Sequence, residues 1–186
     1  RPYPTEYVSQ HKMKDDRPFT IRPIRPEDEP LVVQFHKALS QQSIRRRYFQ
    51  EIGLNQRIAH ERLIKICFND FDREIALVAD LGSKAKAHAI AGIVRLSRIH
   101  GTGEAEFSTL IADPFQGQGL GTEMAKAALE IGKKEGVTRV YAEILTDNIA
   151  MQHIFKKLGF KLLFKPGEET WRAELTLSAR KSIKKF

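Results

Sequence analysis

A glycine-rich turn in the second half of the chain constrains its fold and chemistry more than any other segment. Residues 113–122 have the sequence DPFQGQGLGT and join a predicted strand to a predicted helix. Glycine at positions 117, 119 and 121 leaves the backbone N–H groups of the turn unobstructed by side chains. The start of the helix adds its own unpaired N–H groups and the positive end of its dipole. The turn therefore predicts a cradle for an anion, most often a phosphate.

Two common phosphate-binding loops do not match this turn. A P-loop needs a lysine followed by serine or threonine, and no lysine lies in residues 113–122. The dinucleotide-binding fingerprint needs Gly-x-Gly-x-x-Gly in an early βαβ unit. Here the glycines alternate with single residues and follow several predicted strands late in the chain. Both interpretations are therefore excluded.

Hydrophobic periodicity predicts a mixed order of strands and helices around the turn. Three of the strands follow one another directly and form a meander, whose first two strands make a hairpin. This order favours an α+β fold, with a mixed, mostly antiparallel central sheet flanked by helices, over a doubly wound parallel sheet. The predicted strands are 19–22, 73–80, 88–99, 104–112, 138–145, 160–164 and 171–177, and the predicted helices are 27–39, 43–49, 55–67, 120–135 and 150–158.

The 186 residues suit one domain with its own core. We expect a leader or linker over residues 1–18, the domain over 19–178 and a basic tail over 179–186. The single cysteine, Cys67, excludes a disulfide framework and a multi-cysteine metal site, and it favours the cytoplasm. The histidines lack metal-ligand spacing, so no metal is expected. No apolar run approaches the roughly 18 residues that a membrane span needs.

The net charge of +8 points to an acidic partner. Basic residues are densest at 45–47 and 180–185. A nucleic-acid interface would show a recognised motif or aromatic residues interleaved on a sheet, and neither is present. We therefore interpret both basic segments as solvated surface, and binding of nucleic acid is not expected.

Two motifs resemble those of the GNAT superfamily of acetyltransferases. The pattern Gln116-x-x-Gly119-x-Gly121 is similar to the family's pyrophosphate loop, and a helix beginning after Asn148 ends in Leu-Gly-Phe, as it does in the family. The resemblance implies the GNAT fold and acetyl-CoA, or another acyl-CoA, as cosubstrate. It also implies that Asn148 contacts the pantetheine arm, although asparagine here is equally a helix cap, and we expect both roles. The implied cofactor-binding residues are Leu110, Ile111, Gln116, Gly117, Gln118, Gly119, Leu120, Gly121, Thr122, Asn148 and Phe155.

A finer resemblance covers the first 49 residues. The segments RPYP at 1–4, IRPIRPED at 21–28 and RYF at 47–49 look like the acetyltransferase domain of bacterial protein lysine acetyltransferases. That domain is often fused to an ADP-forming acyl-CoA synthetase-like region. The resemblance implies the ε-amine of a protein lysine as acceptor, with acyl-CoA synthetases as typical targets.

An acceptor lysine needs a base, since an amine of pKa about 10.4 is only about 0.1% neutral near pH 7.4, at a cost of about 4 kcal/mol. Glu104 and Glu106 precede the turn on one face of a predicted strand. The resemblance implies that a glutamate on this strand is the base, and we choose Glu106 because it is nearer the turn, with Glu104 second. Either residue alone is equally compatible with a solvent-exposed strand face.

The general acid of the family is missing from its usual position. Many members carry a tyrosine seven residues after the motif asparagine, where this chain has Phe155. A thiol of pKa about 8.5 leaves readily as thiolate, so we expect no side-chain acid unless Tyr141 reaches the site. The resemblance also implies that backbone N–H groups near Leu110 and Ile111 bind the thioester carbonyl.

Two other functions stay open from the sequence. A non-catalytic acyl-CoA sensor would use the same cradle without the base. An acetyltransferase for small-molecule amines would use both and differ only in its acceptor.

Overall fold

The computed structural model describes residues 2–68, 70–82, 90–164 and 166–177, and within them eight strands form one sheet. The spatial order is β1-β2-β3-β4-β5-β6-β8-β7. Only β5 and β6 pair in parallel, so the predicted mixed, mostly antiparallel sheet is confirmed. The strands are Ser9–Lys12 (β1), Pro18–Pro23 (β2), Glu74–Asp80 (β3), Ile90–Arg98 (β4), Glu104–Ile111 (β5), Arg139–Leu145 (β6), Lys161–Leu163 (β7) and Thr170–Thr176 (β8).

Helices cover both faces of the sheet. One face carries α1 (Glu29–Lys37), α2 (Gln41–Tyr48), α3 (Leu54–Arg57) and α4 (His60–Cys67), and the other carries α5 (Leu120–Lys134) and α6 (Ile149–Lys157). Side chains of β5 alternate between the two layers. Phe107 packs edge-on against Phe155 of α6, whereas Ser108 lines a cavity beneath α1, α2 and α4. The predicted α+β layering is therefore confirmed, and among the described residues no helix is both long and apolar enough to cross a membrane.

The N-terminal segment differs from the predicted leader over residues 1–18. Ser9–Lys12 pair with Pro18–Ile21 as the edge strand of the sheet, and Met13 is buried in the core. The N–H of Lys14 then donates to the carbonyl of Gln118 at 3.0 Å, which ties the segment to the glycine-rich turn. Backbone pairing holds this polar strand, and hydrophobic periodicity does not reveal such pairing. The predicted tail at 179–186, the basic segment at 180–185 and the strand start at His88 lie outside the described residues.

Candidate active site

A cleft opens where β5 and β6 separate. The two strands pair only over Glu104–Glu106 and Arg139–Tyr141, and beyond that point each keeps a partner only on its outer side. The resulting cavity of about 350 Å³ is bounded by β5, the glycine-rich turn, β6 and α6. Every predicted cofactor-binding residue lines this cleft except Gln118. The side-chain oxygen of Gln118 is buried without a hydrogen-bond partner among the described residues.

The glycine-rich turn presents free amides to the cleft. Gly117 and Gly119 adopt positive φ values of 75° and 88°, which other residues rarely tolerate, and Gly119 immediately precedes α5. Within the described part of the chain, no oxygen accepts a hydrogen bond from the N–H groups of residues 117–122. The N–H of Gln116, by contrast, already donates to the carbonyl of Asp113. The turn is therefore an open row of six N–H donors at a helix start.

The side chain of Gln116 braces this turn from behind. Its Nε2 donates to the carbonyl of Ile111 at 2.9 Å and to Ser43 Oγ at 3.0 Å. Asp113 completes the brace by accepting from the N–H of Ser40 at 2.9 Å and from the hydroxyl of Ser43. Burial raises the pKa of the Asp113 carboxyl, but the hydrogen bonds that it accepts outweigh burial and lower that pKa overall. The motif glutamine therefore joins the turn to β5 and α2 and also lines the cleft.

Asn148 caps α6 and also lines the cleft. Its side-chain oxygen accepts from the N–H of Met151 at 3.3 Å, as expected for a cap. Its side-chain nitrogen has no partner among the described residues. The predicted cap is therefore confirmed, and the amide nitrogen is left free to bind a ligand carbonyl.

The two candidate bases occupy different surroundings although they share a face of β5. Glu106 is exposed on the wall of the cleft and makes no ion pair within the described residues. Glu104 lies outside the cleft lining, with its carboxylate 3.7 Å from Nη1 of Arg139. Because only Glu106 faces the cleft without a counterion, the geometry favours it as the proton acceptor.

Neither Phe155 nor Tyr141 supplies an acid in the cleft. Phe155 is buried against Phe107 and Phe160, and its ring forms part of the cleft floor. Tyr141 lies beside Glu106 in register but outside the cleft lining, and the guanidinium of Arg172 stands 4.2 Å from its ring centroid. Partial burial and the carboxylate of Glu106 raise the pKa of Tyr141.

Strand pairing decides which amides of β5 face the cleft. The bonds Ile99 N–H to Glu104 O and Ala112 N–H to Ala91 O show that even-numbered residues of β5 pair with β4. Because ladder bonds alternate along an antiparallel strand, the N–H of Leu110 points into the sheet and that of Ile111 points into the cleft. Of the predicted pair, Ile111 is therefore the residue with a donor available.

These features fit coenzyme A. Its pyrophosphate needs N–H donors, which residues 117–122 provide, and open space, which surrounds the Cβ position of Gly117. Its pantetheine amides need polar partners deep in the cleft. The Asn148 amide and the buried Thr109 hydroxyl are available, since the latter has no hydrogen-bond partner among the described residues.

A second cavity, which the sequence did not predict, adjoins the cleft. It measures about 560 Å³, lies beneath α1, α2 and α4, and shares Arg47, Ser108 and Leu110 with the cleft. Arg47 belongs to the segment interpreted as solvated surface, yet it is half-buried between the two cavities. The sequence did contain a signal for this position, because Arg47 comes four residues after Ser43 and therefore lies on the same side of α2. Lys14, from the predicted leader, also lines the cleft.

A buried neutral histidine forms one end of the second cavity. His36 is 3% exposed, and Nη1 of Arg57 donates to its Nδ1 at 3.1 Å, which requires the unprotonated nitrogen. Burial and the charges of Arg62, Arg57, Arg95 and Arg47 lower the pKa of His36 to about 3. In the folded protein His36 therefore stays unprotonated at pH values below 6.5, where the same side chain is protonated in the unfolded chain.

Acid is expected to destabilise the fold through His36. Between pH 6.5 and pH 3 the unfolded state binds more protons than the folded state. The free energy of unfolding therefore decreases as the pH is lowered through that window. Urea titrations at pH 6.5 and pH 5 should show a loss of about 2 kcal/mol, which His36→Gln removes. Replacing the exposed His153 with glutamine should leave the loss unchanged. An equal loss in the His36 variant would assign the acid sensitivity to other groups.

Comparison with known proteins agrees with the geometry. The family model of the acetyltransferase (GNAT) domain matches residues 19–161. The chain is 30% identical over 141 residues to acetyltransferase Pat of Mycolicibacterium smegmatis, covering 76% of this chain and 40% of that protein. It is 27% identical over 143 residues to a spermidine N(1)-acetyltransferase of Escherichia coli, covering 76% and 72%.

The fold is shared with a solved acetyltransferase domain. The crystal structure of the GNAT domain of S. lividans PAT superposes with a TM-score of 0.82 at 23% identity, covering 94% of this chain and 99% of that one. Matched family residues extend from β2 through the glycine-rich turn to β7. The chain belongs to the GNAT acetyltransferase family.

Proposed function

We propose that this acetyltransferase moves an acetyl or similar acyl group from acyl-CoA to the ε-amine of a protein lysine. One observation carries the proposal: the carboxylate of Glu106, which has no ion-pair partner among the described residues, lies on the cleft wall, on the strand that leads into the row of amides at 117–122. A binding module would need the amides alone. A transferase also needs a base at the reacting end, and Glu106 provides one.

Each part of the cleft has a distinct task in this reaction. Acyl-CoA supplies an electrophilic thioester when it is bound. The N–H groups of residues 117–122 hold its pyrophosphate, and Asn148 orients its pantetheine arm. The N–H of Ile111 points at the space where the acyl carbonyl lies and stabilises negative charge there. Glu106 accepts the proton of the attacking amine, directly or through one water.

The leaving thiolate needs no side-chain acid in this scheme. Phe155 replaces the tyrosine that serves many family members, and its buried ring carries no proton to give. A thiolate is stable enough to depart unprotonated, because its conjugate acid has a pKa of about 8.5.

The acceptor is the finer part of the proposal. The sequence resemblance to bacterial protein lysine acetyltransferases supports a protein lysine. The similarity to a spermidine acetyltransferase supports a small amine instead. We favour the protein lysine, with acyl-CoA synthetases as the first targets to try, and we keep the cytoplasm as the proposed location.

An acetylation screen tests this function. The chain is incubated with acetyl-CoA and a purified acyl-CoA synthetase, and acetyl-lysine is mapped by mass spectrometry. We expect site-specific acetylation that needs the protein and falls sharply with Glu106→Gln. Binding of acetyl-CoA without transfer to any protein or amine would instead indicate an acyl-CoA sensor. Transfer to amines such as spermidine but to no protein would indicate a small-molecule enzyme.

A further inference from the structure

The second cavity lies where an acceptor must approach the candidate base. Side chains at positions 106, 108 and 110 of β5 share one face, and Ser108 and Leu110 line this cavity as well as the cleft. An amine entering beneath α2 and α4 therefore reaches Glu106 from the side opposite α5 and α6. The volume of the second cavity, about 560 Å³, is ample for a lysine side chain together with a neighbouring residue.

The lining of this cavity carries more positive than negative charge. The basic members are Arg47, Arg62, Lys65 and Arg95, and the acidic members are Glu61 and Glu74. Glu74 is already engaged, because its carboxylate lies 3.1 Å from Nη1 of Arg95. Glu61 is exposed on α4. The lining histidine, His36, is neutral, since it accepts a hydrogen bond from Arg57.

Two of the arginines make no salt bridge within the described part of the chain. Within the described residues, neither Arg47 nor Arg62 has a carboxylate within 4.0 Å. The guanidinium of Arg62 donates to the carbonyl of Arg57 at 2.8 Å and to the hydroxyl of Tyr48 at 3.0 Å, and both guanidiniums lie over the Tyr48 ring. These neutral partners orient the charges without cancelling them.

The crowding of cations has an electrostatic consequence. Both arginines are half-buried, so solvent screens their charges only in part. Burial and the charges of Arg95 and Arg62 lower the pKa of Arg47, and they outweigh the opposing influence of Tyr48 and of the Glu106 carboxylate. A bound anion would replace the lost solvation of these groups, whereas a second cation would add to their repulsion.

We propose that the second cavity binds a carboxylate of the acceptor, so that the preferred substrate is a protein lysine flanked by an acidic residue. This inference rests on the proposed function and names its substrate class. The flanking Asp or Glu pairs with Arg62 and Arg47 and thereby places the lysine amine at Glu106. The same charges disfavour a polyamine, whose additional ammonium groups would enter a cavity lined by arginines.

The test uses peptides that differ only in the charge beside the lysine. One peptide carries glutamate on both flanks of a single acceptor lysine, a second carries glutamine and a third carries arginine, and spermidine and free lysine complete the set. We expect the kcat/KM for the glutamate peptide to exceed that for the glutamine peptide about tenfold, and that for the arginine peptide or spermidine by more. Fluorescence anisotropy of the labelled peptides, without acetyl-CoA, should show the same order of Kd values.

Matched variants assign the preference to this cavity. Lys65→Glu reverses a charge on the rim, and Lys133→Glu makes the same change at an exposed site on α5, across the sheet. Lys65→Glu should reduce the preference at least threefold, and Arg62→Gln should reduce it further, with circular dichroism confirming that both variants are folded. Lys133→Glu should retain it, and the affinity for acetyl-CoA should be unchanged in all three.

The outcomes separate this inference from the function on which it rests. Acetylation with no preference for the glutamate peptide, or faster reaction of spermidine or free lysine, would overturn the inference and leave the transferase function standing. A preference lost equally in Lys133→Glu would overturn it too, because the net charge would then be the cause. If no acceptor is acetylated, the proposed function fails, and the anisotropy series still decides whether the cavity selects acidic peptides.

Discussion

Replacing Glu106 with glutamine should lower kcat about 10²–10⁴-fold while leaving the affinity for acetyl-CoA intact. Glutamine keeps the shape of the side chain on the cleft wall and removes only its basicity. Without the carboxylate, the amine reaches its neutral form only through solvent. The deficit should therefore shrink as the pH rises toward the pKa of the acceptor lysine. Steady-state kinetics from pH 7 to pH 10, with calorimetry of acetyl-CoA binding, measure both effects.

Glu104→Gln is the matched control on the same face of β5. Its carboxylate lies beside Arg139 and outside the cleft lining, so its loss should lower kcat much less. If Glu104→Gln lowered kcat more than Glu106→Gln, Glu104 would be the base. The reacting end of the cleft would then lie two residues earlier on β5. Full activity in both would exclude a carboxylate base on β5, while the cofactor site would be unaffected.

Replacing Gly119 with glutamate should reduce acetyl-CoA affinity by a hundredfold or more. The backbone there has a φ of 88°, which glutamate adopts only with strain, and the side chain would bring negative charge to the row of amides that we propose as the pyrophosphate site. The new side chain would also approach Lys14, whose aliphatic carbons lie 3.9 Å from the position that a Cβ atom would occupy. Isothermal calorimetry of the folded variant measures the loss.

Two controls separate charge from backbone strain. Gly136→Glu introduces the same side chain at the same φ of 88°, but at the far end of α5, and should lower stability without changing acetyl-CoA affinity. Gly119→Asn tolerates the left-handed conformation and adds no charge, so it should lie between the wild type and Gly119→Glu. Unchanged affinity in Gly119→Glu would remove the turn from the cofactor site.

Local sequence patterns were sufficient for the turn and for the order of most elements. Glycine spacing at a strand-to-helix junction and the periodicity of α5 involve neighbouring residues only, so they are visible in the sequence. The same holds for the shared face of Glu104 and Glu106, which follows from the pleat. The different surroundings of the two glutamates do not follow from the pleat. The ion-pair partner of Glu104 is Arg139, which is on β6 and comes 35 residues later.

The motif glutamine shows where a pattern is correct and its expected role is incomplete. The sequence placed Gln116 at the cofactor, and it does line the cleft. Its side-chain amide, however, is engaged by Ser43 and Ile111, which are 73 and 5 residues away. A glutamine that holds the turn in place and a glutamine that contacts the ligand look the same in the sequence. The motif gives only the residue type and its position in the turn, not the partners of its side chain.

The sequence by itself determined the family, the sheet with its flanking helices, the amide cradle and the strand that carries the proposed base, since each leaves a pattern among residues close together in the chain. Only the tertiary structure decided that the N-terminal segment is a strand, which amide of β5 is free, and that an arginine-lined cavity adjoins the cleft. That cavity draws Arg47 from α2, Arg62 from α4 and Arg95 from β4. Their separation along the chain makes each resemble ordinary surface charge, and only the packing of α2 and α4 over the sheet brings the three together.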